Sequence, residues 1–203
     1  MSDNSEIAAI VLAAGASCRF GSEKLLHPVT LHGVTLPLAA HSFFPWFETF
    51  EVITVVVKPE AEAFCRTVET ALGAAKSSAI RWVVCENAAK GMATSLACGV
   101  HANRDAAGWL IGLADMPVVP SAAIIDVRNA LLDGAKLAAP FCNGKRGHPV
   151  GFATHYREEL LALQGNTGAR HLLERDNSNL VQIKINDKGI FADIDIPNDL
   201  HNL

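Results

Sequence analysis

The sequence predicts one α/β domain with a mostly parallel mixed sheet and helices on both faces. Half of the 203 residues are hydrophobic, so the chain can bury a sizeable core. Short apolar runs, typical of strands covered on both faces, alternate with longer segments that suit helices, which indicates βαβ units. The single domain is expected to cover 1–203, with strands at 7–12, 52–57, 80–84, 109–113 and 137–140 and helices at 36–47, 60–72, 92–103 and 121–132.

The last third of the chain has a different pattern. The pair Asn143-Gly144 is a strong hairpin signal, and the Asn-Asp-Lys-Gly run at 186–189 predicts a second turn. Because hairpins join antiparallel strands, these turns favour a more antiparallel C-terminal section within the same domain.

Composition excludes several classes of protein. The formal net charge is −4, without the basic excess of a nucleic-acid-binding protein. The five cysteines are scattered and form no CxxC pair, which argues against a disulfide framework and against a zinc site. The polar N-terminus does not resemble a signal peptide, and no apolar run is long enough for a transmembrane helix. We therefore expect a cytoplasmic protein with neither nucleic-acid nor membrane partners.

The loop after the first predicted strand is rich in small residues. Gly15 and Gly21 allow the backbone to approach an anion closely, while Arg19 and Lys24 supply positive charge. Ligands of parallel sheets bind beyond the carboxyl ends of the strands, where this loop lies. The spacing matches neither G-x-x-x-x-G-K-[ST] nor G-x-G-x-x-G. Composition leaves two interpretations open: a phosphate-binding loop, or an ordinary glycine-rich connection with two solvated cations.

Carboxylates follow the fourth strand and recur near the C-terminus. Asp115 lies at a predicted strand end, where it could bind Mg²⁺ or cap a turn before Pro117. If 190–196 is extended, Asp193 and Asp195 point to one face, and either could complete a Mg²⁺ site.

The segment after the third strand introduces a predicted helix. Gly91 precedes that helix, whose first backbone amides suit anions or base carbonyls. A glycine turn that merely caps the helix is the structural alternative.

The first loop also resembles a known signature, L-A-[AG]-G-x-S-x-R-x-G-x-x-K. This is the signature of the NTP-transferase family related to the molybdenum cofactor cytidylyl- and guanylyltransferases. The resemblance implies a Rossmann-like fold similar to GT-A glycosyltransferases, with this loop wrapped around a triphosphate. It implies nucleotide contacts from Leu12, Ala13, Ala14, Gly15, Ser17, Arg19, Gly21 and Lys24.

Two acidic segments are similar to the family's metal-binding motifs. L-A-D-M-P implies that Asp115 is a ligand of Mg²⁺, and D-I-D-x-P-x-D-L implies Asp195, rather than Asp193, as a second ligand. Asp199 is interpreted as an N-terminal helix charge. The pattern N-x-x-x-x-G-M-x-x-S-L is similar to the cytidylyltransferase branch and adds nucleotide contacts from Asn87, Gly91, Met92 and Ser95.

Two further motifs concern the acceptor. G-H-P-[VG]-x-F and G-D-x-G-A-R imply that His148 and Arg170 bind it. Asn166 replaces the usual aspartate of the second motif, which places the role of that position in doubt. A structural histidine and an ordinary surface arginine are the alternatives.

The resemblance implies a Mg²⁺-dependent cytidylyltransferase that joins CTP to molybdenum-molybdopterin, with a client molybdoenzyme as a further partner. The catalytic residues would be Arg19, Lys24 and Asp115. The guanylyl branch has glycine where this chain has Ala14, and the extra methyl group favours a pyrimidine. The alternatives are guanylyl transfer to the same cofactor, cytidylyl transfer to a small alcohol phosphate, and a non-catalytic cofactor carrier.

Overall fold

The structure, a computed structural model, describes residues 6–15, 20 and 23–202. The strands are β1 (Ile7–Leu12), β2 (Pro28–Leu31), β3 (Val34–Pro37), β4 (Ile53–Val57), β5 (Ile80–Val84), β6 (Gly108–Leu113), β7 (Leu137–Cys142), β8 (Lys145–Arg146), β9 (Val150–Ala153) and β10 (Leu180–Lys184). The helices are α1 (Leu38–Phe43), α2 (Glu62–Leu72), α3 (Ala74–Ser77), α4 (Met92–Ala102), α5 (Ser121–Leu132), α6 (Arg157–Leu161) and α7 (Arg170–Arg175). Short 3₁₀ helices cover Lys24–Leu26, Phe44–Glu48, Ala88–Lys90, Thr154–Tyr156, Asn177–Asn179, Lys188–Phe191 and Pro197–Asn202.

The main sheet has the strand order β10-β7-β9-β6-β1-β4-β5, with β8 paired to β7. β1 pairs in parallel with β4 and β6, and β4 pairs in parallel with β5. The mostly parallel sheet is therefore confirmed. β9 is antiparallel to β6 and β7, and β8 is antiparallel to β7, as the C-terminal turns predict. β10, which the sequence analysis did not identify, returns in parallel beside β7.

Helices cover both faces, also as predicted. Successive residues of a strand point to opposite faces, so Ile10 and Val11 of β1 enter two different apolar clusters. One cluster contains Leu38 of α1, Val68 of α2 and Ile124 of α5. The other contains residues of α4, α6 and α7, namely Leu96, Leu160 and Leu172. None of the helices in the described part of the chain has the length and apolar character needed to cross a bilayer.

The helix predicted over 36–47 was partly wrong. Residues 28–37 form the β2–β3 hairpin, whose two turn residues, His32 and Gly33, both have positive φ. This is the backbone that a two-residue hairpin loop requires. The helix begins only after Pro37, because Leu36 and Pro37 still pair with β2, and it continues as the 3₁₀ helix Phe44–Glu48.

Candidate functional site

A cavity of about 610 Å³ opens at the carboxyl ends of β1, β4, β5 and β6. This is where a parallel sheet is expected to bind its ligand. Most of the described positions that were predicted to contact nucleotide or metal line it. They are Leu12, Ala13, Ala14, Gly15, Lys24, Gly91, Met92, Ser95 and Asp115.

The first loop leaves the sheet along a fixed path. The amide of Ala13 donates to the Val56 carbonyl at 2.8 Å, and Leu12 accepts a hydrogen bond from Ala114 at 3.0 Å. Ala13 is therefore buried, and the chain reaches the open cavity at Gly15. The predicted contacts of Ser17, Arg19 and Gly21 lie outside the described residues and stay predictions.

Lys24 forms the centre of a charged cluster. Its Nζ donates to Asp115 Oδ2 at 2.7 Å and to Asp195 Oδ1 at 3.5 Å, although its side chain is only 9% exposed. The second carboxylate oxygen of Asp115, Oδ1, is buried and has no hydrogen-bond partner among the described residues. The structure thus brings together three predicted site residues that are distant in sequence, and it leaves one anionic oxygen available.

The C-terminal segment is fastened to the end of β6 by its backbone. Ile194 donates its amide to the carbonyl of Asp115 at 3.0 Å, which places Asp195 beside Lys24. The carboxylate of Asp199 accepts from the amides of Asp195 and Ile196 at 2.8 and 2.9 Å. Asp199 therefore supports the chain at the start of the last 3₁₀ helix, in agreement with its interpretation as an N-terminal charge.

Asp193 belongs to the same electrostatic neighbourhood, although the strand considered over 190–196 is absent. The chain forms the 3₁₀ helix Lys188–Phe191 and then an irregular segment. Burial raises the pKa of the Asp193 carboxyl, the negative charges of Asp195 and Asp115 raise it further, and Lys24 lowers it. Asp195 makes the hydrogen bond to Lys24, which favours Asp195 over Asp193 as the second ligand.

Gly91 allows a second loop to approach the start of α4. Its φ is +121°, and a Cβ atom there would lie 2.0 Å from Asn166 Oδ1 and 2.4 Å from the Gly165 carbonyl oxygen. The same carbonyl accepts the amide of Ala93 at 3.0 Å. Any other residue at this position would push the Gly165-Asn166 loop away. Asn166 consequently lines the cavity, despite the doubt raised by its departure from the motif.

The remaining nucleotide positions differ in placement. Met92 is half exposed at the cavity, whereas Ser95 is buried one turn further into α4. Asn87 lines a neighbouring groove together with Lys90 and is not among the lining residues of the main cavity.

The two predicted acceptor residues lie in different surroundings. Nδ1 of His148 is buried without a hydrogen-bond partner in the described part of the chain. Burial lowers the pKa of His148 to about 4, and Arg146 lowers it further, while Asp115 and the Ile111 carbonyl raise it. The imidazole is therefore neutral at neutral pH, and Asp115 is close enough to affect it.

Arg170 is exposed and pairs with Glu174 at 2.7 Å, an i,i+4 ion pair on α7. Burial lowers the pKa of Arg146, and the positive charge of Arg170 lowers it further. Glu174, the ion-pair partner of Arg170, raises it. The charges of Arg146, Arg170 and Glu174 therefore interact on the side of the site where His148 lies, and their sum is positive.

The sequence analysis missed some residues of the cavity. Lys58 lines it directly after β4 and pairs with Glu23 at 3.0 Å, and Glu86 lines it after β5. Both follow strand ends, so the rule that directed attention to Asp115 would have found them. In residues 6–15, 20 and 23–202, no three His, Cys, Asp or Glu side chains converge as a metal-binding group.

Comparison with protein families decides the class of this protein. The model of the MobA-like NTP transferase domain matches residues 9–180, which is most of the chain. The chain belongs to the MobA-like NTP transferase family. It is therefore a nucleotidyltransferase, and its architecture is the GT-A-like fold of such enzymes. No curated protein sequence matches the chain.

Solved structures with the same fold cover nearly the whole chain. Rv0371c from Mycobacterium tuberculosis H37Rv has a TM-score of 0.78 and 21% identity, over 98% of this chain and 96% of that protein. A CMP:2-keto-3-deoxy-manno-octonic acid synthetase complexed with CTP has a TM-score of 0.71 and 12% identity, over 98% and 96%. The molybdopterin-guanine dinucleotide biosynthesis protein A of Archaeoglobus fulgidus has a TM-score of 0.59 and 17% identity, over 97% and 96%.

A manganese complex of Rv0371c has also been solved, and it matches with a TM-score of 0.76 and 18% identity, over 98% of each chain. At these identities, this MobA-like family member shares the fold of its neighbours.

Proposed function

We propose that this protein transfers CMP from CTP to the terminal phosphate of molybdenum-molybdopterin and releases pyrophosphate. The observation that carries the proposal is the cluster of Lys24, Asp115 and Asp195 at a cavity formed by the first loop and the start of α4. A triphosphate needs cations and backbone amides, and its metal needs oxygen ligands. These groups converge on one cavity.

The residues at the cavity fit a Mg²⁺ ion. Asp115 and Asp195 would hold it, and the buried, unpartnered Oδ1 of Asp115 is an oxygen suited to a hard cation. Mg²⁺ is usually bound by one or two carboxylates together with substrate phosphates, so two aspartates are sufficient. When bound, the metal would neutralise charge on the reacting phosphates.

The transfer itself needs little chemistry from side chains. An oxygen of the acceptor phosphate attacks the α-phosphorus of CTP, and the bond from that phosphorus to the bridging oxygen breaks. The electron pair leaves with pyrophosphate. Because the acceptor phosphate is already deprotonated, no general base is required, and catalysis depends on alignment and charge neutralisation. Lys24 and Arg19 are assigned to the pyrophosphate, whose negative charge grows during the step.

The choice of CTP rests on the walls of the cavity. Ala14 presents a methyl group where the guanylyl branch has glycine, and Ala88 and Ala89 line the cavity from the adjacent loop. These side chains leave less room for a purine. The fold neighbours include a CTP complex and a molybdopterin-guanine dinucleotide protein, so guanylyl transfer is the second candidate.

The acceptor side is assigned to His148 and Arg170. The neighbouring guanidinium groups of Arg146 and Arg170 give this side a positive character that suits a phosphate. His148 is neutral there and can donate or accept a hydrogen bond without adding charge.

The decisive test is pyrophosphate release, measured with each of the four NTPs in the presence and absence of molybdenum-molybdopterin. We expect turnover with CTP only when the acceptor is present. Faster turnover with GTP at matched Mg²⁺ would contradict the base assignment. Acceptor binding without turnover of any NTP would instead identify a cofactor carrier. Turnover with a small alcohol phosphate would identify that compound, rather than molybdenum-molybdopterin, as the acceptor.

A further inference from the structure

The ammonium group of Lys24 lies between the two carboxylates assigned to the metal. It is 2.7 Å from Asp115 and 3.5 Å from Asp195, within ion-pair distance of both. The Lys24 side chain is almost fully buried, and those of Asp115 and Asp195 are 22% and 34% exposed. The lysine expected to contact phosphate therefore contacts the two carboxylates assigned to the metal.

The negative charge around this lysine exceeds one unit. Asp115 and Asp195 each place one carboxylate within ion-pair distance of its ammonium group. Like charges brought together in a partly buried place repel each other unless a cation lies among them. Lys24 is that cation in the described part of the chain.

We propose that Lys24 acts as a stand-in for the divalent metal, which means that its ammonium group pairs with Asp115 and Asp195 when neither metal nor nucleotide is bound. The ammonium group leaves these carboxylates only when nucleotide phosphates bind it. This inference rests on the proposed function, since it takes the metal and the triphosphate from there. It adds an order of binding: the metal enters with the nucleotide rather than ahead of it.

The physical reason is the cost of an unpaired buried charge. A metal ion that arrived alone would draw both carboxylates toward itself and place a second cation beside the nearly buried ammonium of Lys24, whose charge would then be only partly compensated, which is unfavourable. Triphosphate oxygens offer new charge-assisted hydrogen bonds. The flexible side chain of Lys24 lets the ammonium move, while its backbone stays in the 3₁₀ helix Lys24–Leu26.

The test measures Mn²⁺ affinity in the absence of nucleotide, by calorimetry or electron paramagnetic resonance. Lys24→Gln removes the competing charge, so it should bind Mn²⁺ about 10-fold more tightly than wild type or better, within the usual range of coupling between two sites. Lys58→Gln is the matched control. It removes a lysine charge from the same cavity, but Lys58 pairs with Glu23, so Mn²⁺ affinity should change by less than about 2-fold.

Lys24→Arg keeps the charge and should stay close to wild type. Equal or weaker Mn²⁺ binding by Lys24→Gln would overturn the proposal. If Lys24→Gln is unfolded without metal and Mn²⁺ restores its folding, the proposal is supported, because the metal then replaces the ammonium. If Mn²⁺ does not restore folding, Lys24 is a structural cation and the proposal fails.

Failure of the proposed function is a separate outcome. Tighter Mn²⁺ binding by Lys24→Gln in a protein that turns over no NTP would keep the stand-in role and reject the transferase assignment. If the wild type turns over CTP but the wild type and all variants bind Mn²⁺ equally well, only the stand-in role is rejected.

Discussion

The two ends of the sheet both carry polar side chains beside a cavity, but they use them differently. At the amino end, Arg81 donates to Thr54 and to the Ala102 carbonyl at 3.0 Å each, and also to Asn103. Asn103 in turn donates to Thr54 at 3.1 Å and to the Gly99 carbonyl at 2.8 Å. These groups satisfy one another, and among them the buried hydroxyl of Thr54 has its hydrogen-bond partners.

At the carboxyl end, two buried polar atoms have no such partner. Asp115 Oδ1 and His148 Nδ1 make no hydrogen bond within the described residues. An unpaired buried polar atom costs free energy, so its persistence in a cavity is typical of a site that a ligand completes. Among the residues that line the two cavities, of about 450 and 610 Å³, the buried side-chain atom without a partner belongs to Asp115, so hydrogen bonding distinguishes the two cavities and their size does not.

The largest effect is expected from Asp115→Asn at the carboxyl end. The change removes an anionic oxygen while nearly keeping the shape of the side chain. Turnover should fall by about 100-fold or more, the scale of losing one strong transition-state contact. The unfolding midpoint should also fall, because the change removes the charged partner of the nearly buried Lys24, but the variant should stay folded in the assay. Asp126→Asn, an exposed carboxylate on α5, is the matched control and should keep wild-type turnover. Near-normal turnover of Asp115→Asn at saturating Mg²⁺ would contradict the assignment of Asp115 as a ligand of the metal.

The pH dependence of stability tests the environment of His148. The folded pKa of His148 is lowered to about 4, so between pH 6.5 and 4 the unfolded chain takes up a proton that the folded protein does not. Stability attributable to His148 is therefore lost as the pH falls through this range. The loss should not exceed about 2 kcal/mol, because partial exposure of the ring to solvent reduces the effect.

Urea unfolding of wild type and His148→Asn at pH 7 and pH 4.5 measures this loss. The variant should lose less stability than wild type on acidification. His155→Asn, which removes an exposed histidine, should behave like wild type. Equal acid sensitivity of all three proteins would show that His148 is not a buried neutral group.

A smaller effect is expected at the amino end. Asn103→Ala removes a shared partner of Thr54 and Arg81, and it should lower the free energy of unfolding by about 1 to 2 kcal/mol. Turnover per folded molecule should stay the same, because these groups lie far from the catalytic cavity. Asn129→Ala, an exposed change on α5, should alter stability by less than about 0.5 kcal/mol. Loss of turnover in a folded Asn103→Ala protein would show that the amino end of the sheet contributes to activity.

The smallest effect is expected on the preference between nucleotide bases. Ala14→Gly opens the cavity by one methyl group and should reduce the preference for CTP over GTP by about 10-fold, the lower end of discrimination by such a group. The ratio of kcat/KM for the two nucleotides measures it. An unchanged ratio would mean that Ala14 does not select the base.

Strand patterns explain why most of the fold was predictable. β1 and β4 are buried on both faces and read as continuous apolar runs, which indicate a parallel sheet. β10 lies at the sheet edge with exposed residues in the sequence Leu-Val-Gln-Ile-Lys, so its apolar signal is weak. The β2–β3 hairpin was missed because its turn signal is the less common pair His32-Gly33.

The position of the charged cluster was predictable, but its pairing was not. Motif positions and strand ends pointed to Lys24, Asp115 and Asp195. Their contacts depend on the backbone hydrogen bond between Ile194 and Asp115, which joins an irregular segment to a strand end. Local sequence carries no signal for such a long-range contact. The same holds for Asn166, whose place in the cavity follows from its packing against Gly91.

The hydrogen bond from Ile194 to Asp115 also has a consequence for synthesis of the protein. A nascent chain that has reached residue 184 contains every strand of the main sheet in the described residues, yet it lacks the second carboxylate. The chain thus gains the last strand of the sheet before it gains Asp195. A transcript that ends between the codons for residues 184 and 195 would encode every strand of the main sheet in the described residues, but not the carboxylate of Asp195 beside Lys24.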